Sequence, residues 1–382
     1  MAAAGKRNVP QGKLAKQAAR FAGRELAARK DLDGAATPRD IWSKMGRRGL
    51  LGCGIPTLYG GGGAGFSELL AALESFVGAG ASPGLALSWF VHLVAGKILI
   101  EGAADGRRKQ ELLPEMAAGR LTVSIALSEP GAGSDPRRIG TTAVKRRGFY
   151  VIDGQKAWLT NGPMADRFVV FAVEGRRGGR KRFTAFIVPR ETPGLTLVET
   201  PPLGFLRPAP HCSIRLESCA VTENAVLGRR GHAWEELSKP FRMAEDALLA
   251  GVLLGGTARE LDLLVDRVRA CGMGAGNETK ERIGAVAALL SAARGLSLEA
   301  AKAFDDHGAG TVVEQRLAAV HPVLEAMLEA LGAVYAGIGV ERACGPGTLG
   351  DDMNRLFGLG GQAARARRKK WGEAILTGKV RS

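Results

Sequence analysis

The chain has 382 residues with 46% hydrophobic content, enough for two or three domains with a sizeable core, which excludes an intrinsically disordered protein. Its 53 Lys and Arg against 38 Asp and Glu leave a net charge of +15. Such a field attracts polyanions, whether nucleic acid, an acidic carrier protein or the phosphates of a cofactor.

The N-terminal "MAAAGKRNVPQGK" has early charges but no apolar core after them, so no secretory signal is expected and a cytoplasmic location is the default. Residues 12 to 120 carry apolar side chains at three- and four-residue spacing, as in "KLAKQAARFAGRELAARK" and "SELLAALESFVGAG", and predict helices. The glycine-rich "GLLGCGIPTLYGGGGAGF" between them lacks the GxxxxGK[ST] phosphate loop and reads as a connector. In "GLALSWFVHLVAGKILI", residues 84–100, His92, Lys97 and glycines interrupt the run before the ~20 apolar residues of a membrane span, so none is expected.

After Arg120 the pattern changes to short β-branched and aromatic runs separated by Gly, Pro and Asn, such as "LTVSIAL", "RFVVFAV" and "RFTAFIVP". Within them "EGRRGGRKR", 174–182, predicts an exposed basic hairpin loop with Arg176, Arg177, Arg180, Lys181 and Arg182, whose default reading is a solvated surface. From Glu235 the helical period returns in four long segments, the last starting at "GGQAARARRKKWGEAIL", and predicts a bundle. The expected class is α+β: an N-terminal helical domain (1–120), a middle β-barrel or sandwich domain (121–228) and a C-terminal four-helix bundle (229–382).

Cys53, Cys212, Cys219, Cys271 and Cys344 form no CxxC pair and read as free thiols. His92 lies in an apolar helix and reads as a core residue. His211, His232, His307 and His321 show no metal-ligand spacing, so no metal is expected.

The α, β, α order, with "ALSEPGAGSD" at the first junction and "GQKAWLTNG" some twenty residues on, resembles the acyl-CoA dehydrogenase family of flavoproteins along nearly the whole chain. The resemblance implies FAD as cofactor, lined by residues 125–134, including Ile125, Leu127, the Ser128 hydroxyl, Gly133 and Ser134. It places Trp158, Leu159 and Thr160 at a second flavin contact and Gly337 and Gln362 at a third. Ser134 and Arg242 would meet the substrate, an acyl thioester of CoA or an acyl carrier protein. It further implies electron transfer to an electron-transfer flavoprotein or to oxygen, and a homodimer, homotetramer or heteromer with a related chain.

In the bundle the chain departs from the family pattern. Gly360, Gly361 and Gln362 fall on the Glu-Gly-Thr triplet that supplies the catalytic base, and Ala244 on the alternative position for it. Glycine and alanine accept no proton, and loss of a general base costs ~10²–10⁴ in rate. The neighbouring Glu245 is the expected substitute, with Asp246 after it. The usual pyrophosphate motif is replaced by "RVRACGMGAGNETKER", in which Arg267 or Arg269 reach phosphate at most. The leading expectation is therefore α,β-dehydrogenation. The alternatives are a non-catalytic or half-site subunit, or a flavin-dependent oxygenase on the same fold. Nucleic-acid binding is disfavoured, because no aromatic-basic interleaving accompanies the charge, and the tail "RARRKKW" reads as a solvated helix face.

Overall fold

The two periodicities of the sequence become ten helices and eight strands among the described residues of the computed structural model, which are 12–26, 29, 32, 34, 37–199, 204–270, 276–338 and 348–377. Helices α1 (Lys13–Phe21), α2 (Arg39–Arg47) and α3 (Phe66–Gly78) come first. Next, α4 (Pro83–Val94) continues through wide turns at Ala95–Ile100 into α5 (Glu101–Ala103), before α6 (Gly106–Ala117). The Asp105 carboxylate starts α6 by accepting from the Arg108 amide at 3.0 Å. The strands are β1 (Val123–Ala126), β2 (Thr142–Lys145), β3 (Phe149–Thr160), β4 (Arg167–Arg177), β5 (Arg180–Pro189), β6 (Leu195–Glu199), β7 (His211–Thr222) and β8 (Val226–Leu227). The chain ends in α7 (Lys239–Ala270), α8 (Asn277–His307), α9 (Thr311–Gly337) and α10 (Leu349–Leu376).

These elements form two bodies that cut across the chain order. One contains α1, α3, α7 from Asp246 onward, and α8 to α10. Its N-terminal and C-terminal parts are joined by polar as well as apolar contacts. Asp305 of α8 caps α3, accepting from the amides of Phe66 and Ser67 at 2.5 and 3.0 Å, and Arg294 donates to the buried Glu74 at 2.8 Å. The N-terminal helices α1 and α3 thus share a body with the C-terminal helices.

The other body holds α2, the rest of the α4–α6 helices and the whole sheet. Strand order is β6-β7-β3-β2-β4-β5-β8, with β1 paired in parallel to β4. Alternate side chains such as Tyr150, Ile152, Phe168, Phe186 and Ile214 point into one buried cluster. The Gly52–Gly65 connector closes on itself, Gly62 donating to the Gly52 carbonyl at 2.9 Å and Ala64 to Cys53 at 2.8 Å, and Lys97 donates to the Ala64 carbonyl at 3.1 Å. It is the connector between helices that its sequence predicts, and it is packed on itself.

Three sequence expectations change. The apolar run ending at Ile100 continues as helix to Ala103, so Pro83–Ala103, like α8 and α9, is long and apolar enough to cross a membrane. Because 89% of the Pro83–Ala103 window is buried within the structure, it is a core helix here. The last helix begins at Leu349, where Thr348 accepts from the Asp351 amide, and it runs unbroken through Gly360 and Gly361. The basic segment at 174–182 is ladder almost to its tip: only Gly178 and Gly179 turn, both at positive φ as a two-residue hairpin of type I′ demands. Cys53, Cys212 and Cys219 are buried and in no disulfide, and burial pushes the Cys212 and Cys219 thiols up to about 11. Cys271, Cys344, residues 271–275 of "RVRACGMGAGNETKER" and residues 339–347 lie outside the described residues.

Candidate functional site

The 127–134 turn is built by a short backbone loop closed on itself and then pinned from below. The Glu129 amide donates to the Gly133 carbonyl at 2.9 Å and the Gly133 amide to Glu129 at 3.0 Å, with Gly131 and Gly133 at φ +67° and +56°. Beneath it the Glu129 carboxylate accepts from the Gly140 amide at 2.7 Å, the Thr141 amide at 2.9 Å and the Lys156 ammonium at 2.9 Å. Lys156, on β3 and 0% exposed, also donates to the Leu127 carbonyl at 3.1 Å.

The electrostatics of this pair are mutual. Burial pushes Lys156 down to about 8, and Glu129 opposes that by favouring its charged form. Burial also raises Glu129, but the Lys156 charge and the bonds from Thr141, Gly140 and Lys156 outweigh it and leave the carboxyl below its usual value. Each motif thus contributes one buried charge. Sequence reasoning passed over both, although an acid and a lysine inside the two apolar-flanked motifs were the available signal.

The pairing brings the two motifs together in register. The Ala157 amide donates to the Ser128 carbonyl at 2.9 Å, and the Ser124 hydroxyl of β1 donates to the Thr160 carbonyl at 2.8 Å. Between Lys156↔Ile214 and Leu159↔Cys212, β3 has one residue more than β7, a bulge. Trp158 sits in it at φ +62° and 56% exposed. A bulky residue in that region is strained, and with the indole half exposed its own burial does not offset the strain. Leu159 is buried, so its backbone alone is available to a ligand.

Thr160 has a partner that sequence alone did not indicate. Its hydroxyl lies 3.1 Å from His211 Nε2, while His211 Nδ1 lies 2.9 Å from the Ala209 carbonyl. Burial lowers the proton affinity of His211 against the opposing Ala209 bond, so the ring is neutral with Nδ1–H donating. Nε2 therefore accepts, Thr160 donates its proton to it, and the threonine oxygen is left as an acceptor.

Among the described residues, the amides of Ser128, Gly131 and Ser134 and the Ser128 hydroxyl make no hydrogen bond within the chain. Free donors over small side chains, a half-exposed indole and an accepting hydroxyl suit the edge and face of a flat, polar heteroaromatic ring such as a flavin. Gly337 and Gln362 belong to the other body. A side chain at Gly337 would meet the Arg282 guanidinium, which donates to the Ala333 carbonyl at 2.9 Å, and Gln362 is exposed on α10.

Gly360 lies inside α10 on a buried face. A Cβ there would come 3.7 Å from Asp246 Oδ1 on α7, and that carboxylate pairs with Arg367 at 2.5 Å, both side chains mostly buried. They line a cavity of about 30 Å³ together with Leu249, His321 and Phe357, room for about one water. Arg368 donates to His321 Nδ1 at 3.2 Å. Glu245, one residue earlier, pairs with Arg242 at 3.5 Å on the same helix. Asp246 is thus the carboxylate turned toward Gly360, which one residue of helical rotation, about 100°, explains.

Residues 10–120 match the family model for the acyl-CoA dehydrogenase N-terminal domain, and residues 124–219 the model for the middle domain. The mitochondrial isovaleryl-CoA dehydrogenase of Solanum tuberosum is 34% identical over 196 residues, 51% of this chain and 47% of that protein. The L-prolyl peptidyl-carrier protein dehydrogenase of Pseudomonas fluorescens is 31% identical over 229 residues, 60% of each. The chain therefore matches about half to three fifths of the length of these curated relatives. A crystal structure of an FAD-dependent dehydrogenase superposes with a TM-score of 0.73 at 25% identity, covering 95% of this chain and 92% of that one.

Proposed function

The chain belongs to the acyl-CoA dehydrogenase family, and on that premise we propose that it holds FAD against the 125–134 turn and oxidises the α,β bond of an acyl thioester carried on CoA or an acyl carrier protein. The observation that carries this reading is the docking of the two motifs through Glu129 and Lys156, which leaves the Ser128, Gly131 and Ser134 amides free beside Trp158 and Thr160. Bound FAD supplies the acceptor for the hydride that leaves the β-carbon. The turn amides and the Ser128 hydroxyl would hold its polar groups as donors, Trp158 would offer it apolar cover, and Thr160, its proton given to His211, would be left as an acceptor. Ser134 and Arg242 serve the thioester side.

The α-proton needs a carboxylate. Glu245 is the proposed acceptor, since Asp246 is committed to Arg367 inside the bundle. An electron-transfer flavoprotein as oxidant, and assembly as a homo-oligomer, complete the proposal. Gly360 favours a second reading, a subunit that binds flavin while a related partner chain supplies the base.

Anaerobic titration of the FAD-loaded protein with acyl-CoA thioesters tests both. Bleaching of the flavin band that Glu245→Gln slows by ~10²-fold or more, with FAD content unchanged, supports the first reading. Loss with Asp246→Asn instead moves the base by one residue. An intact oxidised spectrum that a related, Glu-bearing chain restores selects the second reading, and a protein that takes up no FAD overturns both.

A further inference from the structure

The strongest charge on the sheet lies away from the Trp158 bulge, at the opposite end of β3. Strands β2 and β4 are parallel and pair at Thr142↔Val173, so the turn after β2 and the hairpin after β4 emerge at the same end. That end carries Arg146, Arg147, Arg176, Arg177, Arg180 and Arg182, all exposed. The acids nearby are already matched: Glu174 pairs with Arg230, Glu223 with Lys145 at 3.1 Å, and Asp135 with Arg137 at 2.7 Å. Among the described residues, no acid pairs with any of those six arginines.

Internal stability does not explain this surface. Arg177 and Arg180 stand directly opposite each other in the ladder, flanking the Gly178-Gly179 turn, and like charges in that position destabilise a hairpin. The tight turn holds them on a stiff ribbon. Two apolar side chains complete the patch: Val144, 42% exposed, and Phe149, 39% exposed, bracket the turn between β2 and β3. An apolar spot rimmed by cations has the make-up of a protein interface, whose core is apolar and whose rim is charged. The patch is also tied to the candidate site. Lys181 of the hairpin donates to the carbonyls of Arg137 and Ile139 at 2.7 and 2.6 Å, gripping the far end of the loop that begins with the 127–134 turn. Ser134 and Arg137 are three residues apart, at most about 11 Å of chain.

We infer that the β4–β5 hairpin, with the β2–β3 turn, is the docking surface for a small acidic carrier protein that presents the acyl group as a phosphopantetheine thioester. The inference rests on the proposed acyl-thioester reaction and chooses between its two substrate classes. Charge complementarity supplies the encounter and orientation, and the flexible arm carries the acyl group along the 134–137 loop.

The test reads binding and turnover separately. Fluorescently labelled holo acyl carrier protein is titrated with the FAD-loaded protein at low and physiological salt, with free CoA and duplex DNA as competing probes. Saturable, salt-sensitive binding is expected, weakened ~10-fold or more in R177E/R180E, retained in R177K/R180K, and with FAD content and melting temperature unchanged. In turnover, KM for an acyl-carrier thioester rises in R177E/R180E while that for the same acyl-CoA stays constant. Absent carrier binding, or equal binding by the charge-reversed protein, overturns the inference. So does binding of DNA in place of the carrier that the same substitutions abolish. Because carrier binding needs no chemistry, a protein that binds the carrier but bleaches with no thioester rejects the reaction and keeps the surface. One that oxidises acyl-CoA with no carrier binding does the reverse.

Discussion

Two buried ion pairs, Glu129–Lys156 in the sheet body and Asp246–Arg367 in the helical body, use the same chemistry to opposite ends. In the first, the carboxylate binds two backbone amides as well as the lysine, so the charge is spent on holding a turn while that turn's outward amides stay free. In the second, the pair fills the space beside a glycine, where the cavity left holds about one water. A buried charge pair thus preorganises a binding surface in one place and closes a helix interior in the other.

The largest expected effect separates the two pairs. Lys156→Met leaves Glu129 charged and buried, and should cost about 3–5 kcal/mol with concurrent loss of FAD uptake. Arg367→Met should cost less, about 1–3 kcal/mol, since the adjoining cavity admits water, and should leave FAD content intact. Urea denaturation and the flavin absorbance of both variants check this. Equal losses in stability and flavin would remove the distinction.

Acid should next weaken both bodies, through the buried His92 and the half-buried His321. His92 of α4 is pushed down to about 4 by burial, against the bond to the Met116 carbonyl, while its unfolded value is near 6.5. The neutral form is favoured on folding, so its contribution is intact above pH 6.5 and is lost as pH falls from there to about 4. The full loss is roughly 3 kcal/mol. His321 in the bundle is lowered by burial and by Arg368, giving a loss of the same sign. Urea midpoints at pH 7 and 4.5 should converge in His92→Gln, followed by the fluorescence of Trp42, whose ring lies 5.3 Å from His92.

The smallest effects contrast the two backbones. Trp158→Gly relieves positive φ and should stabilise the fold by about 0.5–1 kcal/mol while weakening FAD binding, because the strain serves the ligand. Gly360→Ala, with no neighbour nearer than 3.7 Å to the new methyl, should stabilise by a similar ~0.5–1 kcal/mol. It should not change FAD binding. Thermal melts with and without added FAD read both, and a destabilised Trp158→Gly would show the bulge to be held by packing instead.

Local pattern determined a good deal of this protein. The 3.6- and 2-residue periods marked the helices and strands and "EGRRGGRKR" marked a hairpin, because each depends on near neighbours in the chain, while the candidate site was marked by the resemblance that "LSEPGAGSD" and "GQKAWLT" carry. The tertiary structure decided which distant groups meet. It buried Glu129 against Lys156, set His211 behind Thr160, placed Trp158 in a bulge, joined α1 and α3 to the C-terminal helices, and carried α10 straight through Gly360. Even Gly360-Gly361, expected to start the last helix, lies inside one that begins at Leu349, because an intrinsic preference of about 1 kcal/mol per glycine yields to the packing of a long amphipathic helix. Partnership between residues 27 to 51 or more positions apart depends on how layers stack, and no local period encodes it.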